Sequence, residues 1–142
     1  MTNPQPLTKP LASYAHSRRV GGLVFIAGQG CRDPISDVWA GVKFDSTGKP
    51  VSIDFELQAH GVLKNVKAAL LAEGLSLSHV VDVQVFLTDL ERHFSTMNKV
   101  WNEYFKDAKN LPTRTTVGVK ELPGLNLIEM KVIASAQLDT EF

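Results

Sequence analysis

The last apolar segment of the chain, Leu127-Ile128-Glu129-Met130-Lys131-Val132-Ile133, constrains the fold most strongly. Its alternation is that of a strand. Yet Leu127, Ile128, Met130, Val132 and Ile133 fall on both strand faces, so both faces call for cover. Upstream, only two segments have helical periodicity. In the first, Asp54 is placed as an N-cap, Phe55, Ala59, Val62, Val66, Ala69 and Leu70 form an apolar stripe, and Gly74 suits the C-terminal cap. Gly61 inside this helix costs propensity and permits close packing. In the second, residues 93–105, Phe94, Met97, Trp101, Tyr104 and Phe105 share one face.

The remaining segments read as strands. Leu23 to Ala27 is an apolar run bounded by glycines and is expected to be a buried strand. Residues 40–53 suggest a small hairpin turning at Asp45–Gly48. Val81, Val83, Val85 and Leu87 alternate on one face. Leu111–Ala136 reads as two strands joined by a Leu-Pro-Gly turn. Pro4, Pro6 and Pro10 make residues 1–10 an extended arm. The expectation is one α+β domain over residues 1–142, a mixed sheet with two helices packed on one face. Two helices cover one sheet face only, so the second face predicts self-association into a homo-oligomer.

Charge and cysteine content narrow the function classes. Fifteen basic residues balance fifteen acidic ones. The balance gives no general attraction to nucleic acid or anionic membrane and little self-repulsion. No apolar run reaches membrane-spanning length and the first residues lack the apolar core of a signal peptide, so a cytoplasmic protein is expected. Cys31 is the single cysteine, which excludes an internal disulfide and a Cys-rich metal site. It reads as a buried or pocket-lining thiol rather than a nucleophile, since no adjacent histidine partner is suggested. His16, His60, His79 and His93 lack metal-ligand spacing and read as solvated or capping groups. Trp39 is a candidate site-lining residue, whereas Trp101 lies on an apolar stripe and reads as core.

Arg114 and Glu129 stand out because each is a charge within a strand. One reading is an ion pair or two solvated side chains. The other is chemical. A guanidinium binds a carboxylate through two parallel hydrogen bonds, and a partly buried glutamate with a raised pKa holds or protonates water. A hairpin turning at residues 122–126 would not set the two opposite one another. They would then meet through a bulge or from different subunits.

The segment LPTRTTVGVKELPGLNLIEMKVIA resembles the signature of the reactive intermediate deaminase family, RidA, also called YjgF. VFIAGQ, NVKAALLAEGLSLSHVVDVQVFLTDL and FSTMNKVWNEYF fit the rest of that family's layout. The resemblance implies a chorismate-mutase-like fold, a homotrimer with sites in the clefts between subunits, and cofactor-free hydrolysis of 2-enamines and 2-imines to keto acids and ammonia. It implies that Arg114 clamps the substrate carboxylate and Glu129 handles water. By position, Tyr14 matches an aromatic that reaches the site from the neighbouring subunit, Gly28 a glycine whose backbone approaches substrate, and Asn98 an asparagine of the second helix. Ala27 and Thr116 depart from the family's frequent Ser and Cys, and Thr116 still offers its backbone amide. AGQGCRDP, ISDVWAGVKF and TRTTVGV look like the bacterial 2-aminomuconate deaminases, which form 4-oxalocrotonate (2-hydroxymuconate). Such a substrate carries two carboxylates. Arg32, with Arg19 and Arg18, is then a candidate second cation. The alternatives are a general enamine/imine deaminase and a non-catalytic ligand-binding or stress protein. No metal, organic cofactor, nucleic acid or membrane is implied.

Overall fold

Side-chain caps set where the helices begin. In the computed structural model, which describes residues 6–137, Asp54 accepts a hydrogen bond from the Leu57 amide at 3.2 Å and opens helix α1, Phe55–Ala72. The helix stops at a left-handed Gly74 (φ 74°). There the Leu75 amide reaches the Leu70 carbonyl at 2.8 Å and the Gly74 amide reaches the Leu71 carbonyl at 2.9 Å. Glycine takes this conformation without the steric cost of a Cβ. Asp89 caps helix α2, Leu90–Phe105, by accepting from the Arg92 amide at 3.2 Å. The helix therefore starts three residues before the expected His93. Its buried stripe is Met97, Val100, Trp101 and Phe105, with Tyr104 half-buried and Phe94 exposed.

The strands are β1 (Ser17–Val20), β2 (Leu23–Gln29), β3 (Val42–Phe44), β4 (Pro50–Ile53), β5 (Val80–Leu87), β6 (Thr113–Gly118) and β7 (Ile128–Ser135). Strands β3 and β4 form the expected small hairpin, whose turn is tied by Asp45 Oδ1 to the Thr47 and Lys49 amides. The other five form one sheet in the order β1-β2-β7-β5-β6. Among the described residues of this sheet only the β5–β6 pair is parallel.

This order corrects the reading of Leu111–Ala136 as two strands joined by a turn. Strands β6 and β7 do not pair, because β5 lies between them. Helix α2 carries the chain back so that β6 runs parallel to β5, as a crossover connection requires. Strand β7 then takes the other edge of β5.

Period-2 alternation divides the sheet into two faces. Ile128, Met130, Val132 and Ala134 of β7, Val83, Val85 and Leu87 of β5, and Val24 and Ile26 of β2 are buried in the core that includes both helices. Each of these side chains larger than alanine contributes about 1.5–3 kcal/mol by leaving water. The other face carries Phe25, Glu129, Lys131 and Ile133 and stays half-open, with Leu23 and Phe25 at 42% and 36% exposure. The run Leu23–Ala27 is thus buried on one face only, and β7 is fully covered on one face rather than both. In β5 an irregularity between Val80 and Asp82 puts Val80, not Val81, into the core. Gly61 lies where an added Cβ would come within 3.2 Å of Cβ atoms of Ala40 and Cys31, so it does permit close packing. Among the described residues no helix is long and apolar enough to cross a membrane.

Candidate active site

Two groups of side chains carry the candidate chemistry. The first lies on the half-open sheet face. The β2–β7 pairing is irregular between Ile26 and Gln29, and this irregularity brings Gly28 against Glu129. An added Cβ on Gly28 would sit 2.7 Å from Glu129 Oε2, so glycine is what lets the carboxylate lie flat on the backbone. Glu129 has no hydrogen-bond or ion-pair partner among the described residues. Burial raises its pKa above the ordinary 4.5. Tyr14 joins Gly28 and Glu129 in lining a cleft of about 290 Å³, together with His16, Arg32 and Trp39. A second cleft of about 540 Å³ adjoins the same three residues and adds Arg18, Ala27 and Lys131.

Buried amides of α1 hold the loops around this cleft. Gln58 is fully buried and donates to the Leu125 carbonyl at 2.8 Å while accepting from the Leu127 amide at 2.8 Å. Asn65 donates to the carbonyls of Gly30 and Arg32 at 2.8 and 2.9 Å. Asn126 Oδ1 accepts from the Cys31 amide at 2.9 Å, and Cys31 Sγ lies 3.2 Å from it. These three amides were missed in the sequence. Gln58 and Asn65, seven residues apart on the apolar stripe of α1, were the available signal, since a polar residue there must find a partner.

The second group lies on the helix face at the β6 edge. Arg114 pairs with Val83 in register, so its side chain projects on the core side. Its Nη2 donates to Asn98 Oδ1 at 2.7 Å, and the guanidinium stacks over Trp101 at 4.9 Å from the ring centroid. Nη1 lies 3.8 Å from Met97 Sδ. Partial burial lowers the Arg114 pKa, and the guanidinium stays charged at neutral pH. Thr116, two residues along the same face, has a buried hydroxyl without a partner among the described residues. Trp101 is therefore both core and the platform under Arg114.

The structure gathers Tyr14, Gly28 and Glu129 in one place and Arg114, Asn98 and Thr116 in another. Several other expectations change. Arg32 lines the cleft but is no free cation, because its guanidinium is held by Asp37 and donates to the Lys9 carbonyl at 2.8 Å. That bond anchors the described part of the proline-rich arm, residues 6–10; residues 1–5 lie outside the described residues. Arg19 is bound to Glu73, at 3.3 Å from Oε2 and 3.1 Å from its carbonyl. His16 lines the cleft rather than solvent, and its Nε2 is buried without a partner among the described residues. Burial lowers its pKa, against a smaller raising effect of Glu73. His60 bridges the helices, 3.0 Å from the Tyr104 hydroxyl and 3.5 Å from Glu103, instead of facing water. His93 stacks on Phe55, and His79 accepts from the Ser76 amide as a cap. Cys31 is buried, and desolvation pushes its thiol up to about 11, which leaves it unreactive at neutral pH.

Among the described residues, Glu56, His60 and Glu103 have ligand types and spacing for a metal, their atoms lying within 4.8 Å of one another. Lys99 already neutralises Glu56 at 2.6 Å. The three form part of a polar clasp between α1 and α2.

The chain matches the family model described as Endoribonuclease L-PSP over residues 5–136. A RutC family protein of Pyrococcus abyssi is 40% identical over 126 residues, covering 89% of this chain and 88% of that protein. Escherichia coli TdcF, solved with bound serine, superposes with a TM-score of 0.77 at 30% identity, covering 94% of this chain and 95% of that one. RidA from an Antarctic Psychrobacter superposes with a TM-score of 0.76 at 28% identity, over 95% and 99% of the two chains.

Proposed function

The chain belongs to the RidA/YjgF (endoribonuclease L-PSP, RutC) family, and on that premise we propose that it is a hydrolytic deaminase of 2-enamines and 2-imines. Within that class 2-aminomuconate is the proposed substrate and the dicarboxylic keto product 4-oxalocrotonate the proposed product. The observation that carries the reading is the chemistry of the two residue groups. One offers a carboxyl that is unpaired among the described residues and has a raised pKa. The other offers a guanidinium oriented by Asn98 and Trp101, beside a hydroxyl without a partner among the described residues. The serine seen in the TdcF relative is a small molecule with a carboxylate of the kind such a guanidinium binds.

The two groups would act together where the β6 edge of one copy meets the Glu129 face of another. The apolar half of that face, Leu23, Phe25 and Ile133, favours such an association. A closed ring of three copies is the proposed assembly.

In this mechanism the substrate enamine tautomerises to the imine. Arg114 grips the carboxylate next to the reacting carbon and fixes its geometry. Protonated Glu129 donates to the imine nitrogen, making the carbon more electrophilic. The resulting carboxylate takes a proton from the attacking water as the C–O bond forms. That proton then passes to the amine nitrogen; as the C–N bond breaks, the carbinolamine hydroxyl returns its proton to the Glu129 carboxylate, and ammonia and the keto acid leave. The raised pKa suits this double role because the carboxyl gives and takes its proton more evenly near neutrality.

The balanced charge of the chain, fifteen basic against fifteen acidic residues, offers no general attraction to an RNA backbone. The test is ammonia release from enzymatically generated 2-aminomuconate and from the imine of a small neutral amino acid. Wild type, Arg114→Ala and Glu129→Ala are compared. A preference for the dicarboxylate that both variants abolish supports the reading. Equal rates on both substrates indicate a general deaminase, and no turnover of either removes the deaminase reading.

A further inference from the structure

Three arginines near the glycine-rich strand are available to meet a second acidic group on a substrate, and the structure separates them. Arg19 lies opposite Val24 in the β1–β2 register, on the helix face, and is spent on Glu73. Arg32 is spent on Asp37 and the Lys9 carbonyl. Arg18, one residue before Arg19, faces the other way. It lies opposite Phe25, which in turn lies opposite Ile133, so it shares the half-open face with Glu129. No hydrogen bond or ion pair reaches it among the described residues. It lines the 540 Å³ cleft together with Tyr14, Gly28, Glu129 and Lys131. The other cation there, Lys131, already has its Nζ 2.7 Å from the Ile26 carbonyl.

We propose that Arg18 is a specificity-determining residue that binds a second, distal carboxylate of the substrate, so that the cleft selects dicarboxylic 2-imino acids over monocarboxylic ones. The proposal rests on the reading of Glu129 as the proton-handling group at the reacting carbon. Spacing supports it. Two strand separations across the sheet and four residues along β7 put the backbones of Arg18 and Glu129 roughly 17 Å apart. Both side chains stand on the same sheet face and line one cleft, which leaves room for an acyl chain of about five or six carbons between their ends. Chemistry supports it too. A guanidinium whose donors meet no partner among the described residues, beside a cleft lined by the Glu129 carboxyl, leaves a carboxylate-shaped demand that no described residue fills.

The experiment is calorimetric titration of the full chain with 2-oxoadipate and 2-oxohexanoate, which share their length and 2-keto acid group and differ by one terminal carboxylate. Wild type is expected to bind 2-oxoadipate at least about ten-fold more tightly. Arg18→Met is expected to erase that preference while leaving 2-oxohexanoate unchanged, and Arg18→Lys to restore part of it. Circular dichroism and sedimentation confirm that each variant is folded and assembled like wild type; within the chain the side chain is exposed on an edge strand, so no core packing is lost. Loss of 2-oxoadipate preference in Arg18→Met supports the proposal. Preference retained in that variant, or absent from wild type, overturns it. Ammonia release by wild type separates the two readings. If no imine is turned over but the Arg18-dependent preference holds, the deaminase reading fails and Arg18 stands. If imines are hydrolysed and the preference survives Arg18→Met, the reverse is true.

Discussion

Arg114 and Glu129 occupy opposite faces of one sheet, with strand β5 between the strands that carry them. Arg114 is level with Val83 on the core side, and Glu129 with Phe86 on the half-open side. Side chains on opposite faces of a sheet cannot converge on one small molecule within a protomer. A deaminase that uses both must draw them from two copies. Arg114→Ala and Glu129→Gln, each inactive alone, are therefore expected to restore activity when dissociated, mixed in equal amounts and reassembled. In any closed ring about one quarter of the sites would regain both groups. Ammonia release measures it, and a mixture as inactive as its components would mean the two residues do not share a site across copies.

Glu129 is held protonated more strongly in the folded chain than in the unfolded one, since burial raises its pKa above 4.5. A raised folded pKa adds stability that is fully present below the unfolded value and is lost as pH rises through the folded value. At neutral pH the carboxylate is thus a burden, reduced by its partial exposure. Glu129→Gln is expected to raise Tm by about 1–3 °C at pH 7 and by less at pH 4. Thermal unfolding at the two pH values checks this. A fall in Tm at pH 7 would show that Glu129 has a stabilising partner in the assembled protein.

Gly28 tests how closely backbone and carboxylate must approach. Gly28→Ala places a methyl group 2.7 Å from Glu129 Oε2, so the carboxylate must move. Activity is expected to fall about ten- to a hundred-fold, the order of loss that misplacing a reacting group produces. Tm should change by no more than about 3 °C, because a flexible side-chain end gives way. Steady-state kinetics beside thermal unfolding separates the two effects, and unaltered kcat/KM would mean that the observed Glu129 position is not the working one.

Gln58→Leu tests the buried support of the loop before β7. The substitution leaves the Leu125 carbonyl and the Leu127 amide without their partner. Stranding two half-buried backbone groups is expected to cost about 2–4 kcal/mol. Urea unfolding measures it. A loss below about 0.5 kcal/mol would show that water replaces both hydrogen bonds.

Much of the fold was legible because local rules specify it. Asp54 and Gly74 bound α1, and the alternation in residues 128–135 marks β7. Asp89 carries the same capping signal for α2, but the apolar residue nearest to the expected start, Phe94, is exposed and marks the boundary poorly. Val81 misled for a different reason. A bulge changes which residues face inward, and bulges leave little trace in a hydrophobic pattern.

The α+β class, both helices, the strand segments apart from β1, and the two charged residues set within strands are all written in the linear pattern. It also contained the apolar excess on the second sheet face. Those properties depend on residues within a few positions of one another, where period, caps and turns act. Strand order, the separation of Arg114 from Glu129, and which of Arg18, Arg19 and Arg32 finds a partner among the described residues belong to the tertiary structure alone. Each depends on contacts between residues far apart in the chain, such as Arg19 with Glu73, and neighbouring residues carry no record of which distant partner the folded chain supplies.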